Sequence, residues 1–284
     1  SQESAARDPQ RMKRPPETLT SPSNPLIKSL KGLERKKERQ ASGLFLAEGA
    51  RLVEQGLANN WQPDTLVVAA AVADRPHIAA LADKAEAAGA RVVLVPERLM
   101  SKITHKDNAQ SVIATFKQRQ VTLDQLEVRI GPQKSLFVAL YEVRDPGNLG
   151  TILRTADCAG ADGVILVGTC CDPYSFEAVR ASMGSLFDMP FATASYEAFE
   201  AWRRKAGIAS VAASINGTAR HDQVDLQQDT IILMGNEQAG LPADVEADCD
   251  QLVLIPMRGG ADSLNLAQAT AIMVYEAWRQ RDFQ

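Results

Sequence analysis

Three short segments set hydrogen-bonding side chains beside glycines at places where a ligand could touch bare backbone. In IPMRGGADSLNLAQATA, Ser263 and Asn265 flank Leu264 just before a long apolar-striped stretch of helical period, and Ile255 closes a strand ahead of them. Such a turn can hold an adenine or ribose through free amides while Ile255 and Leu264 cover the ring faces. Ordinary helix capping by Ser263 and Asn265 would need no ligand. In GNEQAG, Gly235 ends the strand TIILM and Glu237 follows at its C-terminal edge, where open α/β sheets place their ligands. Glu237 could orient an arginine, accept from a sugar hydroxyl, or simply favour a helix start. In DPGNLGTILRTA, Asn148, Gly150 and Arg154 are spaced N-x-G-x-x-x-R. Asn148 would cap the helix, Gly150 would admit another backbone, and Arg154 would stand a turn inside; a capped helix with an exposed arginine explains the same pattern.

The elements that position these turns divide the chain into four parts. Residues 1–22 are polar, with Pro9, Pro15, Pro16 and Pro22, and are expected to be disordered. Residues 23–119 alternate helix and strand, with a basic helix, then GLFLAEGARLVEQGL, and strands in TLVVAAAV, RVVLVP and SVIATF, and form a small α/β domain. Residues 120–135 hold Gly131 and Pro132 and few apolar side chains, and read as a linker. Residues 136–284 carry the strands LFVALYEV, GVILVG, IASVAAS, TIILMG and LVLIPM between helical stretches. That alternation predicts an α/β fold, a mostly parallel sheet with helices on both faces.

Composition excludes several classes. No apolar run approaches the ~20 residues of a membrane helix, the N-terminus has neither a signal-peptide core nor the composition of a transit peptide, and a cytoplasmic location is expected. Cys158, Cys170, Cys171 and Cys249 contain no CxxC pair, and the three histidines lie far apart, so no metal is expected and the cysteines read as buried free thiols. The formal charge of -4 hides an asymmetry: residues 1–40 carry ten Lys/Arg against five Asp/Glu, +5, which leaves -9 for the rest. Lys28, Lys31, Arg35, Lys36, Lys37 and Arg39 crowd into KSLKGLERKKERQ. They read as a phosphate-contacting face or as a solvated helix face.

Together the motifs resemble a known family. N-x-G-x-x-x-R-T-A at 148–156, M-G-x-E-x-x-G-L at 234–241 and I-P-M-x-G-x-x-x-S-L-N at 255–265 are similar, in order and spacing, to the three motifs of the SpoU, or TrmH, family of RNA ribose 2′-O-methyltransferases of the SPOUT superfamily. RASMGSLFDMPF resembles the stretch between the first two motifs, and NPLIKSLKGLERKKERQASGLFLAEGARLVEQGL the ribosomal-protein-like domain that binds substrate RNA in many members. The resemblance implies a trefoil knot in the catalytic domain, an obligate homodimer, and S-adenosyl-L-methionine (S-adenosyl-L-homocysteine after reaction) held by Gly235, Ile255 and Leu264 with Met257 and Asn265 nearby. It implies a reacting centre of Asn148, Arg154, Glu237, Ser263 and Asn265. The reaction implied is attack of a ribose 2′-hydroxyl on the sulfonium methyl, with no metal. Arg154 as the base is awkward for a group of pKa about 12.5–13.8; Glu237 and a substrate phosphate are other destinations for the proton. The N-terminal domain favours rRNA of the 23S type over tRNA. A catalytically silent RNA-binding or ribosome-assembly protein is the other reading, while the absence of GxGxxG argues against a dinucleotide oxidoreductase. Asn236, before the glutamate, and LNLAQATAI in the third motif depart from the usual pattern.

Overall fold

The structure, a computed structural model, describes residues 15–284. Its N-terminal part runs β1 (Glu17–Thr18), α1 (Pro25–Gly32), α2 (Lys36–Ser42), β2 (Leu44–Glu48), α3 (Ala50–Ala58), β3 (Pro63–Ala69), α4 (Pro76–Ala87), β4 (Arg91–Val95), α5 (Glu97–Thr104) and β5 (Val112–Lys117). The strands form one sheet in the order β1-β4-β3-β5-β2, with β5 antiparallel to both neighbours. The disorder expected for residues 1–22 falls outside the described residues up to 14. Beyond them it is corrected: Glu17–Thr18 pairs with β4 and Leu19 is buried, because an apolar residue beside an open sheet edge gains more by docking than by staying in water.

The C-terminal part runs β6 (Leu136–Tyr141), α6 (Pro146–Cys158), β7 (Gly163–Val167), α7 (Phe176–Ser182), α8 (Ser185–Asp188), β8 (Phe191–Ala194), α9 (Tyr196–Ala206), β9 (Ala209–Ala213), β10 (Ala219–Arg220), β11 (Thr230–Met234), α10 (Ala243–Asp248), β12 (Gln251–Leu254) and α11 (Leu266–Gln280). All seven strands are parallel, in the order β10-β12-β9-β11-β6-β7-β8. The period of two divides their apolar residues between two cores. Val138, Leu140, Leu166 and Ile232 face a core shared with Ile152 and Leu153 of α6 and Met273 and Val274 of α11. Phe137, Ala139, Ile165 and Ile231 face the other, with Phe199 of α9 and Val245 of α10. Both faces are therefore covered, as the near-continuous apolar strands predict.

Two joints fix the parts together. Phe45 lies 4.7 Å from Tyr174 and Trp61 5.3 Å from Phe187, ring centre to ring centre, so aromatic residues of the two parts share one core. Arg180 donates to both oxygens of Glu48 at 2.6 and 2.8 Å and to the carbonyl of Thr104. The segment 120–135, read as a linker, is a packed strap: Leu123 and Leu126 are buried under the seven-stranded sheet, and Arg129 pairs with Asp162 at 2.7 Å.

Candidate active site

The C-terminal ends of β9, β11 and β12 open into a cleft of about 400 Å³, lined by Gly235, Glu237, Ile255, Met257, Ser263 and Leu264 among others. Six residues expected at the site thus meet around one space. Ile255, Leu264 and Met257 supply apolar wall, and Met257 and Leu264 are exposed at 44% and 38%. Ser214, Asn216 and Glu246, which the sequence pattern did not single out, form another wall: the Ser214 hydroxyl donates to Glu246 at 2.5 Å and Asn216 Nδ2 donates to it at 3.0 Å. They lie just past a strand's C-terminal end or on the helix facing it, and only the strand order brings them here. Gly235 is glycine for a reason other than ligand approach. A Cβ there would stand 2.5 Å from the Gly240 carbonyl carbon, because Asn236 and Gly240 exchange backbone hydrogen bonds and fold the loop onto itself.

That loop is tied to the loop leading into α6. Asn236 Nδ2 donates to the carbonyl of Glu142 at 2.8 Å, and its Oδ1 accepts from the amides of Gln238 and Ala239 at 2.9 Å each. Glu142 has φ +50, a left-handed conformation that a non-glycine residue keeps only when its surroundings hold it. Glu237 completes the tie: its carboxylate accepts from the amides of Arg144 at 3.1 Å and Asp145 at 3.0 Å. Its oxygens are thus committed to backbone donors. Burial, with additions from Cys170 and the Glu237 carboxylate, pushes the nearby Cys171 thiol up to about 12, so it is no nucleophile.

Asp145 is the N-cap of α6, accepting from the Asn148 amide at 2.8 Å, and Pro146 opens the helix. Asn148 was the expected cap; the helix starts three residues earlier because Asp145 is itself a good cap and proline suits the first helical position. The Asn148 side chain is therefore released from capping, and its Oδ1 accepts from Asn265 Nδ2 at 3.2 Å. Asn265 does cap its own helix, accepting from Ala267 at 2.9 Å and Gln268 at 3.3 Å. Gly150 behaves as expected: a Cβ would meet the Ala178 carbonyl oxygen at 2.4 Å, so its absence lets α7 lie against α6. Arg154 is not brought in. It is exposed on α6, outside the cleft lining, roughly 9 Å along the helix from Asn148.

The cleft suits a nucleoside-bearing cation. Its volume lies within the ~300–1,000 Å³ of small-ligand sites, it has apolar walls for a heterocycle, and Glu246 and Asp262 bring carboxylates to its lining. Residues 135–275 match the SpoU rRNA Methylase family, and residues 24–114 the MRM3-like substrate binding domain. The chain is 33% identical to an uncharacterized tRNA/rRNA methyltransferase of Synechocystis sp., over 93% of this chain and 94% of that one. It is 32% identical to a 23S rRNA uridine 2′-O-methyltransferase of Streptomyces viridochromogenes, over 88% and 87%. The chain belongs to the SpoU family. An AdoMet-bound rRNA methyltransferase from Sinorhizobium meliloti shares the fold at TM-score 0.86, with 45% identity over 93% of this chain and 97% of that one. The SpoU match spans all three turns that line or adjoin the cleft.

The basic segment splits. Lys28, Lys31, Arg35, Lys36 and Lys37 are exposed on α1, α2 and the turn between them. Arg39, expected on the RNA-binding face, is buried: its Nε donates to Asp172 at 2.8 Å and its Nη1 to the carbonyls of Leu33 and Glu34. A helix of seven residues, about two turns, must turn one side to the core, and the charge paired there is Arg39. The cysteines are also less buried than expected, since Cys158 is exposed and the other three are half-buried. No helix among the described residues is long and apolar enough to cross a membrane.

Proposed function

We propose that this chain transfers a methyl group from S-adenosylmethionine to a ribose 2′-hydroxyl of ribosomal RNA of the 23S type, in the cytoplasm. The observation that carries the reading is the meeting of Gly235, Ile255, Met257, Ser263 and Leu264 in one cleft, with Asn148 and Asn265 hydrogen-bonded beside it. Family membership and the 2′-O-methyltransferase named among its relatives support the reaction. The substrate-binding match over residues 24–114 supports rRNA over tRNA.

Bound in the cleft, the cofactor supplies an electrophilic methyl on a positive sulfur, and its leaving thioether is neutral. The protein's work is alignment of donor and acceptor, together with removal of one proton. Ile255, Met257 and Leu264 cover the heterocycle, and the loop at 235–240 meets the polar groups. Asn148 and Asn265 form an amide pair where the ribose arrives. Glu237 positions rather than abstracts, because its oxygens hold the amides that fix the entry to α6. Arg154 orients the 2′-hydroxyl and its neighbouring phosphate. It stands outside its own chain's cleft, and none of the described residues pairs with it, which supports its serving the site of a partner in a homodimer. Ile272 and Tyr275 lie exposed on α11, 37% and 42%, beside α6, and offer the apolar face for that partner. The trefoil knot belongs to the same proposal; it is supported by β12 lying between β9 and β10 while the chain returns from β12 to pack α11 on α6.

The reading is tested by offering labelled S-adenosylmethionine with unmethylated rRNA and, separately, tRNA. Label in rRNA is expected. Label confined to tRNA would overturn the substrate, and no label with either would favour the silent RNA-binding protein.

A further inference from the structure

A second cleft, of about 590 Å³, lies on the opposite flank of β6 from the cofactor cleft. The cofactor cleft opens at the ends of β9, β11 and β12, and this one at the ends of β7 and β8. The loop after β6, which leads to Asp145 and α6, stands between them. The floor of the second cleft is tied to that loop, since the Cys171 amide donates to the carbonyl of Val143 at 2.8 Å. Its far wall is α2 with Lys36 and Gln40, and the segment around Gln120. The space is therefore bounded by the RNA-binding part on one side and the reacting centre's support on the other.

Its walls are fixed and its inner groups are unspent. Tyr174 is clamped to both the amide and the carbonyl of Arg119, at 3.0 and 2.8 Å, and Arg39 neutralises Asp172. Gln40, Gln120, Thr169 and Thr193 are exposed, and none of their side chains bonds to another described residue. Two amides and two hydroxyls around a cavity, each donor and acceptor at once, are the groups that read the edges of unstacked bases. Lys36, exposed at the rim, supplies a cation for a phosphate.

We propose that this cleft takes an unpaired nucleotide of the substrate RNA adjacent to the one being methylated, so that the strand crosses the loop after β6 and presents its ribose to the cofactor on the other side. The inference rests on the RNA substrate proposed above. Two readouts on the full-length protein separate the claims. In the first, rRNA bearing 4-thiouridine is irradiated with the protein and the cross-linked peptides are mapped; cross-links within residues 36–40, 118–122 and 169–173 are expected. In the second, Thr169→Trp and Gln40→Trp, which fill the space, are expected to raise KM for rRNA about tenfold, the loss of one base contact, with S-adenosylmethionine affinity and kcat little changed. Cross-links at the cleft without methyl transfer would keep the cleft and overturn the substrate reading. Methyl transfer with no cross-link at the cleft and an unchanged KM in both variants would overturn the cleft and keep the reading. Cross-linking of rRNA confined to α1 would likewise overturn it.

Discussion

Glu237→Gln separates positioning from proton abstraction. The carboxylate holds two backbone amides, those of Arg144 and Asp145, at 3.0–3.1 Å. Oε1 accepts from both amides and Oε2 shares that of Arg144, so a glutamine with its oxygen in the Oε1 place keeps the Asp145 bond but sets its NH2 against the Arg144 amide, and the Arg144 hydrogen bond to a charged acceptor is lost. Such a bond contributes ~1.5–3 kcal/mol, and the site's partial exposure argues for the lower half of that range. If the misplacement reaches the reacting centre in full, kcat/KM falls roughly 10- to 40-fold, since about 1.4 kcal/mol is a factor of ten. The assay is methyl transfer to rRNA between pH 5.5 and 9, with wild type, Glu237→Gln and Glu237→Asp side by side. A positioning residue predicts a lower curve of unchanged shape. A general base would cost roughly 10²–10⁴ and remove the acid limb of the profile. Loss of that limb in Glu237→Gln would make the carboxylate a base and not a positioning group.

Gly150→Ala should destabilise the protein. Its Cβ meets the Ala178 carbonyl oxygen at 2.4 Å, an overpacking of ~3 kcal/mol set against ~1 kcal/mol gained from alanine's helix propensity, so a net loss near ~2 kcal/mol and a Tm fall of several degrees are expected; an unchanged Tm would contradict the α6–α7 contact. Arg39→Ala should cost ~1.5–3 kcal/mol by leaving the half-buried Asp172 without its guanidinium, while Lys36→Ala with Lys37→Ala should leave stability alone and shallow the salt dependence of RNA binding by up to about two in slope; the reverse assignment would undo the division of the basic segment. Alkylation at pH 8 should label exposed Cys158 well before Cys171, whose thiol is held up to about 12; equal rates would contradict the burial.

The sequence made the sheet legible because each parallel strand is buried on both sides and so reads as an apolar run. It also made the three turns legible, since strand ends with Gly, Asn and Ser are local features. What it concealed depends on distance in the chain. Glu237 lies 92 residues from the amide of Asp145 that it holds, and no local pattern distinguishes a carboxylate meant for a backbone from one meant for a proton. Arg39 sits in a run of cations and differs from its neighbours only in facing Asp172, 133 residues away. Asn148 read as a cap because Asp145 and Asn148 are equally good caps, and the helix's start decides between them. The two-residue strands β1 and β10 carry too little pattern to be read, and Glu246 enters the cleft only through the strand order.

Methylation falls on a ribose oxygen, and alkaline hydrolysis distinguishes that from methylation of a base. Ribosomal RNA labelled from S-adenosylmethionine by the wild-type protein should release its label in an alkali-resistant dinucleotide, because a 2′-O-methyl group blocks the neighbouring cleavage, and Arg154→Ala should leave the RNA unlabelled. Label released as a methylated mononucleotide would place the methyl on a base and contradict the account.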